Sequence, residues 1–149
     1  MPDPSVVIRA ANPADAPAMS TLVAQLGYPA PAEVIPDRIA NIARSGNAAV
    51  YVAEDSGGSV VGMMATQLLW TIHNDPPLAW LTALVVLDSA RGQGVGSLLL
   101  GRAEEWARQK GAQKISLSTA LHREETHVFY DNRGYGRSGL RFTKKLGED

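Results

Sequence analysis

Residues 78–87 read Leu78-Ala79-Trp80-Leu81-Thr82-Ala83-Leu84-Val85-Val86-Leu87, and residues 88–96 continue Asp88-Ser89-Ala90-Arg91-Gly92-Gln93-Gly94-Val95-Gly96. The first ten are strongly apolar and read as a buried strand. The next nine are polar and glycine-rich, and read as a loop. Residues 97–110 follow with Leu98, Leu99, Arg102, Ala103, Trp106 and Lys110 on one side, which predicts an amphipathic helix. Gly111 supplies its C-terminal cap. Residues 114–118 read as the next strand. A strand, a helix and a strand in this order predict a right-handed crossover between two parallel strands.

Outward from this unit the pattern changes. Residues 6–9 are β-branched and predict an edge strand. Asn12-Pro13-Ala14-Asp15 offers a cap, an early proline and a first-turn acid, with a regular helix from about residue 15 to Gly27. A second helix is predicted over residues 31–44, bent or late-starting because of Pro36. Residues 48–54 and 60–70 read as a hairpin around Asp55-Ser56-Gly57-Gly58, and residues 73–77 as a loop. A short helix is expected over 124–132 and a last strand over 140–145. The order β-α-α-β-β-β-α-β-α-β predicts one α/β domain over residues 6–147. Its central sheet is mixed, with flanking helices.

The chain has 149 residues, a length that suits one domain. Net charge is −1, so no global field marks a nucleic-acid binder. Residues 1–87 hold 3 basic and 7 acidic side chains, and residues 88–149 hold 11 and 8. A basic half could hold an anion and an acidic half a cation, although the same split reads more simply as a chance feature of a solvated surface. There is no cysteine, so neither a disulfide nor a cysteine nucleophile is available in this chain. Histidines stand only at 73, 122 and 127, and no metal site is expected. No apolar run reaches the ~20 residues of a membrane span. The opening MPDPSVVIRA has no basic, apolar leader, so the expected compartment is the cytoplasm.

Glycines between a buried strand and a helix start let backbone N–H groups approach a ligand closely. The helix start favours an anion such as phosphate, and Arg91 adds a full charge and a fork of donors. A nucleoside-triphosphate loop needs a lysine after its last glycine, but Ser97 follows Gly96. A dinucleotide loop needs a third glycine where Ser97 stands, and an acid ~20 residues on that Ala112-Gln113-Lys114 does not supply. The pattern R-x-x-G-x-G fits at Arg91, Gly94 and Gly96.

Leu84-Val85-Val86, then Arg91-Gly92-Gln93-Gly94-Val95-Gly96, then Phe129-Tyr130-Asp131-Asn132-Arg133-Gly134-Tyr135 resemble the GCN5-related N-acetyltransferases. The resemblance covers essentially the whole chain in element order. It implies a fold with two splayed parallel strands, here residues 78–87 and 114–118. It implies acetyl-CoA as cosubstrate and an amine as acceptor. Backbone groups of Leu84, Val85 and Val86 would hold the pantetheine arm, like an added strand. Arg91, Gly92, Gln93, Gly94, Val95, Gly96 and Ser97 would hold the pyrophosphate. A backbone N–H near Leu84 would polarise the thioester carbonyl. Tyr130 would be the general acid toward the departing thiolate.

No acid stands in residues 78–87, where many members of that family carry a glutamate. Glu54, His73, Asp75 and His122 are the remaining candidates for a general base, each also readable as an ordinary surface residue. The stretch Thr119-Ala120-Leu121-His122-Arg123 lacks the asparagine that the family often places there, and His127 reads as a packing residue. A rival function keeps the loop without the chemistry, as a non-catalytic acyl-CoA-binding module. A third reads Leu68, Leu69 and Trp70 as a protein-interaction surface, although they also suit a core or a homodimer contact.

Overall fold

The computed structural model describes residues 5–119 and 123–147. Asn12 starts the first helical segment by accepting from the Ala14 N–H, while Asp15 accepts from the Asn12 N–H at 2.8 Å. This reciprocal pair satisfies two otherwise orphaned donors. A 3-10 turn (Pro13–Asp15) leads into α1 (Ala16–Leu26), and Gly27 closes it at φ 110°. A second 3-10 turn (Ala32–Val34) leads into α2 (Ile35–Ser45). The α-helix starts later than residue 31 because Pro36 is cheapest in a first turn, where its missing N–H would be unpaired anyway.

The sheet runs β1 (Val7–Ala10), β2 (Ala48–Glu54), β3 (Val60–Thr71), β4 (Asn74–Val86) and β5 (Ile115–Leu117), in that spatial order. The first four strands are antiparallel neighbours. Between β4 and β5 lies α3 (Val95–Gln109), and a helical crossover between adjacent strands makes them parallel. The sheet is therefore mixed, as expected. On one face, α1 and α2 cover Val52, Met63 and Val85 around the fully buried Leu22. On the other, Trp106 and Ala107 of α3 pack on Leu68 and Ala79. Burying a leucine such as Leu22 contributes about 1.5–3 kcal/mol.

Three expectations change. Residues 74–77 are not loop: Thr71 pairs with Asn74 across a two-residue turn, Ile72-His73. Between the pairs Thr71–Asn74 and Leu69–Leu78 the register shifts, and Pro76 and Pro77 fall in that irregular stretch, where a missing N–H costs no ladder bond. The strand expected over 114–118 shortens to three residues. The strand expected over 140–145 is not formed, and Leu140 and Phe142 are exposed. An alternating pattern makes a strand only where a neighbour completes its ladder. The chain divides into two compact units, Met1–Ser116 and Leu117–Asp149. The second holds α4 (Glu124–Asp131). No helix among the described residues is long and apolar enough to cross a membrane.

Candidate active site

The last residues of β4 carry Leu84, Val85 and Val86, opposite Met64, Met63 and Gly62 of β3. Upstream, the register shifts by one residue: Ala65 faces Ala83, but Thr66 faces Leu81. Thr82 is the extra residue of a β-bulge. It reverses which side chains face which helix: Ala79 packs with α3, while Val85, also odd-numbered, packs with α1. Bulges of this kind re-aim a strand beside functional sites. The Leu87 N–H donates to the Val61 carbonyl at 2.8 Å, so by alternation the polar groups of Leu84 and Val86 point away from β3. The Ala79 N–H donates to the Lys114 carbonyl, which sets short β5 beside the early part of β4. One outward group is already occupied: the Val86 carbonyl accepts from Gln25 Nε2 at 2.6 Å. Of the backbone groups expected to serve a ligand at Val86, its N–H remains.

After β4 a 3-10 turn (Asp88–Ala90) leads to Arg91, whose Nη2 lies 3.1 Å from Asp88 Oδ1. Both side chains are exposed, and such a surface pair contributes about 0–1 kcal/mol, too little to hold Arg91 against a phosphate. Gly92 and Gly94 sit at φ +80°, a conformation costly for any residue with a Cβ. Gln93 between them is exposed. Gly94 is the N-cap of α3, and the helix starts two residues earlier than Ser97. Val95, Gly96 and Ser97 thus form its first turn rather than the end of a loop. Its N-cap, Gly94, has no side chain to accept from the first turn, and that turn holds no acidic residue. The donor set fits a diphosphate: two left-handed glycines, a helix N-terminus without an acidic cap, and one guanidinium beside it.

What seats α3 is a residue the sequence reading passed over. A Cβ on Gly62 would lie 3.0 Å from Leu99 Cδ1, 3.2 Å from the Val85 carbonyl and 3.3 Å from Val95 Cγ1. Glycine at this point of β3 lets the start of α3 lie against the sheet at the level of Val86. The signal was available, since a glycine inside a strand pattern marks close approach of another segment. No comparable signal marked Gln25.

Tyr130 belongs to the second unit. It lies in the last turn of α4 and is buried, with its ring edge-on to Phe129 at 5.1 Å and to Tyr135 at 5.5 Å. Gly134 at φ +86° turns the chain so that the Tyr135 N–H donates to the Tyr130 carbonyl at 3.1 Å. That glycine-ended helix explains the spacing of Phe129, Tyr130, Gly134 and Tyr135. Burial pushes the Tyr130 phenol up to about 12. Among the candidate bases, Glu54 accepts from Arg9 Nε at 2.9 Å, His73 stands in the β3–β4 turn, and Asp75 is exposed. His122 lies outside the described residues.

A model of the acetyltransferase (GNAT) family matches residues 18–135. Over 89 residues the chain is 45% identical to the aminoalkylphosphonate N-acetyltransferase of Salmonella typhimurium, covering 60% of this chain and 58% of that protein. The chain spans about half the length of the curated relatives it matches. A GNAT family acetyltransferase of Staphylococcus aureus is similar in fold, with TM-score 0.80 and 21% identity over 95% of this chain and 99% of that one. An aminoglycoside N-acetyltransferase solved with CoA has TM-score 0.81 and 20% identity, covering 95% of each chain.

Proposed function

Because the chain belongs to the acetyltransferase (GNAT) family, we propose that it transfers an acetyl group from acetyl-CoA to a primary amine, through one domain spanning residues 6–147. The observation that carries this reading is the junction of β4 and α3. An outward-facing strand edge leads, through a 3-10 turn, to two left-handed glycines and a helix whose first turn holds no acidic residue. Acetyl-CoA supplies an activated thioester. Arg91, Gly92, Gln93 and Gly94, with Val95, Gly96 and Ser97 of the first helical turn, hold its diphosphate. The Leu84 carbonyl and the Val86 N–H hold pantetheine amides, and Val85 anchors that stretch from the core. The Leu84 N–H stabilises charge on the carbonyl oxygen as the amine adds.

Tyr130 serves the departing sulfur. With a pKa of about 12 it is neutral at physiological pH and donates a hydrogen bond. The phenol hydrogen-bonds the sulfur as the carbon–sulfur bond breaks and gives it a proton, which Tyr130 regains from solvent. The amine's proton passes to solvent, and Glu54, the candidate base on β2, is held by Arg9.

Aminoalkylphosphonates are the first acceptor class we propose, on the 45% identity to a relative named for them. The test is release of free thiol from acetyl-CoA with a panel of amines: an aminoalkylphosphonate, a polyamine, an aminoglycoside and an amino acid. Amine-dependent release supports transfer, and a preference for the phosphonate supports that class. CoA binding without release from any amine would leave only a binding module. A preference for polycations would instead follow the acidic first half of the chain.

A further inference from the structure

Gln25 stands near the end of α1, two residues before its glycine cap. Its carboxamide reaches across the fold to the last strand step before the loop. Nε2 donates to the Val86 carbonyl at 2.6 Å, and Oε1 accepts from the Asp88 N–H at 3.2 Å. Leu87 turns the other way, to β3. The Val86 carbonyl and the Asp88 N–H thus share the outer edge of β4. A carbonyl at one residue and an N–H two residues on are the pair that one residue of a parallel neighbour satisfies. Here one side-chain amide takes the place of that neighbour.

We propose that Gln25 is a positioning residue for the acyl-CoA site. It ends the open edge of β4 one step beyond the pair assigned to pantetheine, and it fixes the first residue of the loop that carries the glycines. The inference rests on the acetyltransferase reading. The chemistry is specific to a carboxamide of this length. Glutamate would set a carboxylate against the Val86 carbonyl, and methionine would fill the space without either bond. Holding the strand end and loop before the ligand arrives reduces the ordering cost of binding.

The test uses Gln25→Met in the full chain. Losing two hydrogen bonds of ordinary net strength should weaken CoA by about tenfold in calorimetric titration. The KM for acetyl-CoA should rise in step, while kcat and the KM of the amine stay within about twofold. Without any ligand, hydrogen exchange at residues 88–97 should quicken. A folded variant with unchanged CoA affinity, or with the loss shared equally by the amine KM and kcat, overturns the proposal. If Gln25→Met gives no cooperative melt, Gln25→Glu replaces it: weakened CoA binding supports the proposal, and wild-type affinity overturns it. A wild-type chain that binds no CoA overturns the acetyltransferase reading and the ligand role of Gln25 with it. In that case exchange at residues 88–97 still decides separately whether the clamp exists.

Discussion

Replacing Tyr130 by phenylalanine keeps the edge-on packing with Phe129 and Tyr135 and removes one hydroxyl. If that hydroxyl stabilises the leaving sulfur, turnover should fall by ~10²–10⁴-fold while CoA affinity changes little. The loss should shrink with a thioester whose thiol is a better leaving group. Full turnover in Tyr130→Phe would remove the role. The pH profile offers an independent check. Burial raises the phenol to about 12, so Tyr130 keeps its proton well past the usual tyrosine value. Rates should rise as the amine deprotonates, with no alkaline decline assignable to Tyr130 below about pH 11. A decline centred near 10 that vanishes in Tyr130→Phe would show an unburied phenol. Arg91 makes a different prediction. Its Asp88 partner is exposed, so the guanidinium can turn to phosphate at little cost. Arg91→Ala should weaken CoA and flatten the salt dependence of its affinity, and equal salt slopes would place Arg91 away from the diphosphate.

At the scale of elements, the site depends on how close α3 comes to β3. Gly62→Ala must push Leu99 or Val95 outward, or strain the Val85 carbonyl. Overpacking of this kind destabilises by about 1–3 kcal/mol. The displaced helix N-terminus should also raise the Kd for CoA, so urea unfolding and CoA titration should worsen together. A stable Gly62→Ala with wild-type affinity would mean that the seat of α3 tolerates more space than the contacts indicate. Gly94→Val acts more locally. It forces a β-branched residue to φ +80° at the N-cap, a strain of about 1–3 kcal/mol. CoA binding should be abolished with the fold largely kept, and unchanged affinity would remove the loop from the diphosphate site.

At the scale of the whole molecule, one charged cluster ties β1, β2 and the first helical turn together. Arg9 donates to both oxygens of Asp15, at 2.8 and 2.9 Å, and to Glu54 at 2.9 Å. Asp15 is buried, and the Arg9 hydrogen bonds hold its carboxyl below the usual range. A depressed carboxyl contributes stability that is complete above its unfolded value, about 3.9, and lost as pH falls through the folded value. Asp15→Asn should therefore cost about 2 kcal/mol at pH 7, reduced from the fully buried case because Arg9 is 30% exposed. The gap between the two proteins should narrow as pH falls below 4. Equal urea midpoints at pH 7 would show that the cluster contributes nothing.

Local chemistry decided much of this protein. Helix periods, the caps at Asn12, Gly27 and Gly111, the 48–54 strand and the glycines after residue 90 all report on residues near them in sequence. A period or a left-handed turn is a property of a short segment, so it is legible there. Pairing between distant segments decided the rest. The bulge at Thr82, the ladder that recruits Asn74 and the absence of one at residues 140–145 each depend on a neighbouring strand. The fit of Leu99 over Gly62 and the reach of Gln25 to Val86 join residues far apart in the chain. A single carboxamide or a single glycine carries no mark of its distant partner, and only the packed fold brings the two together.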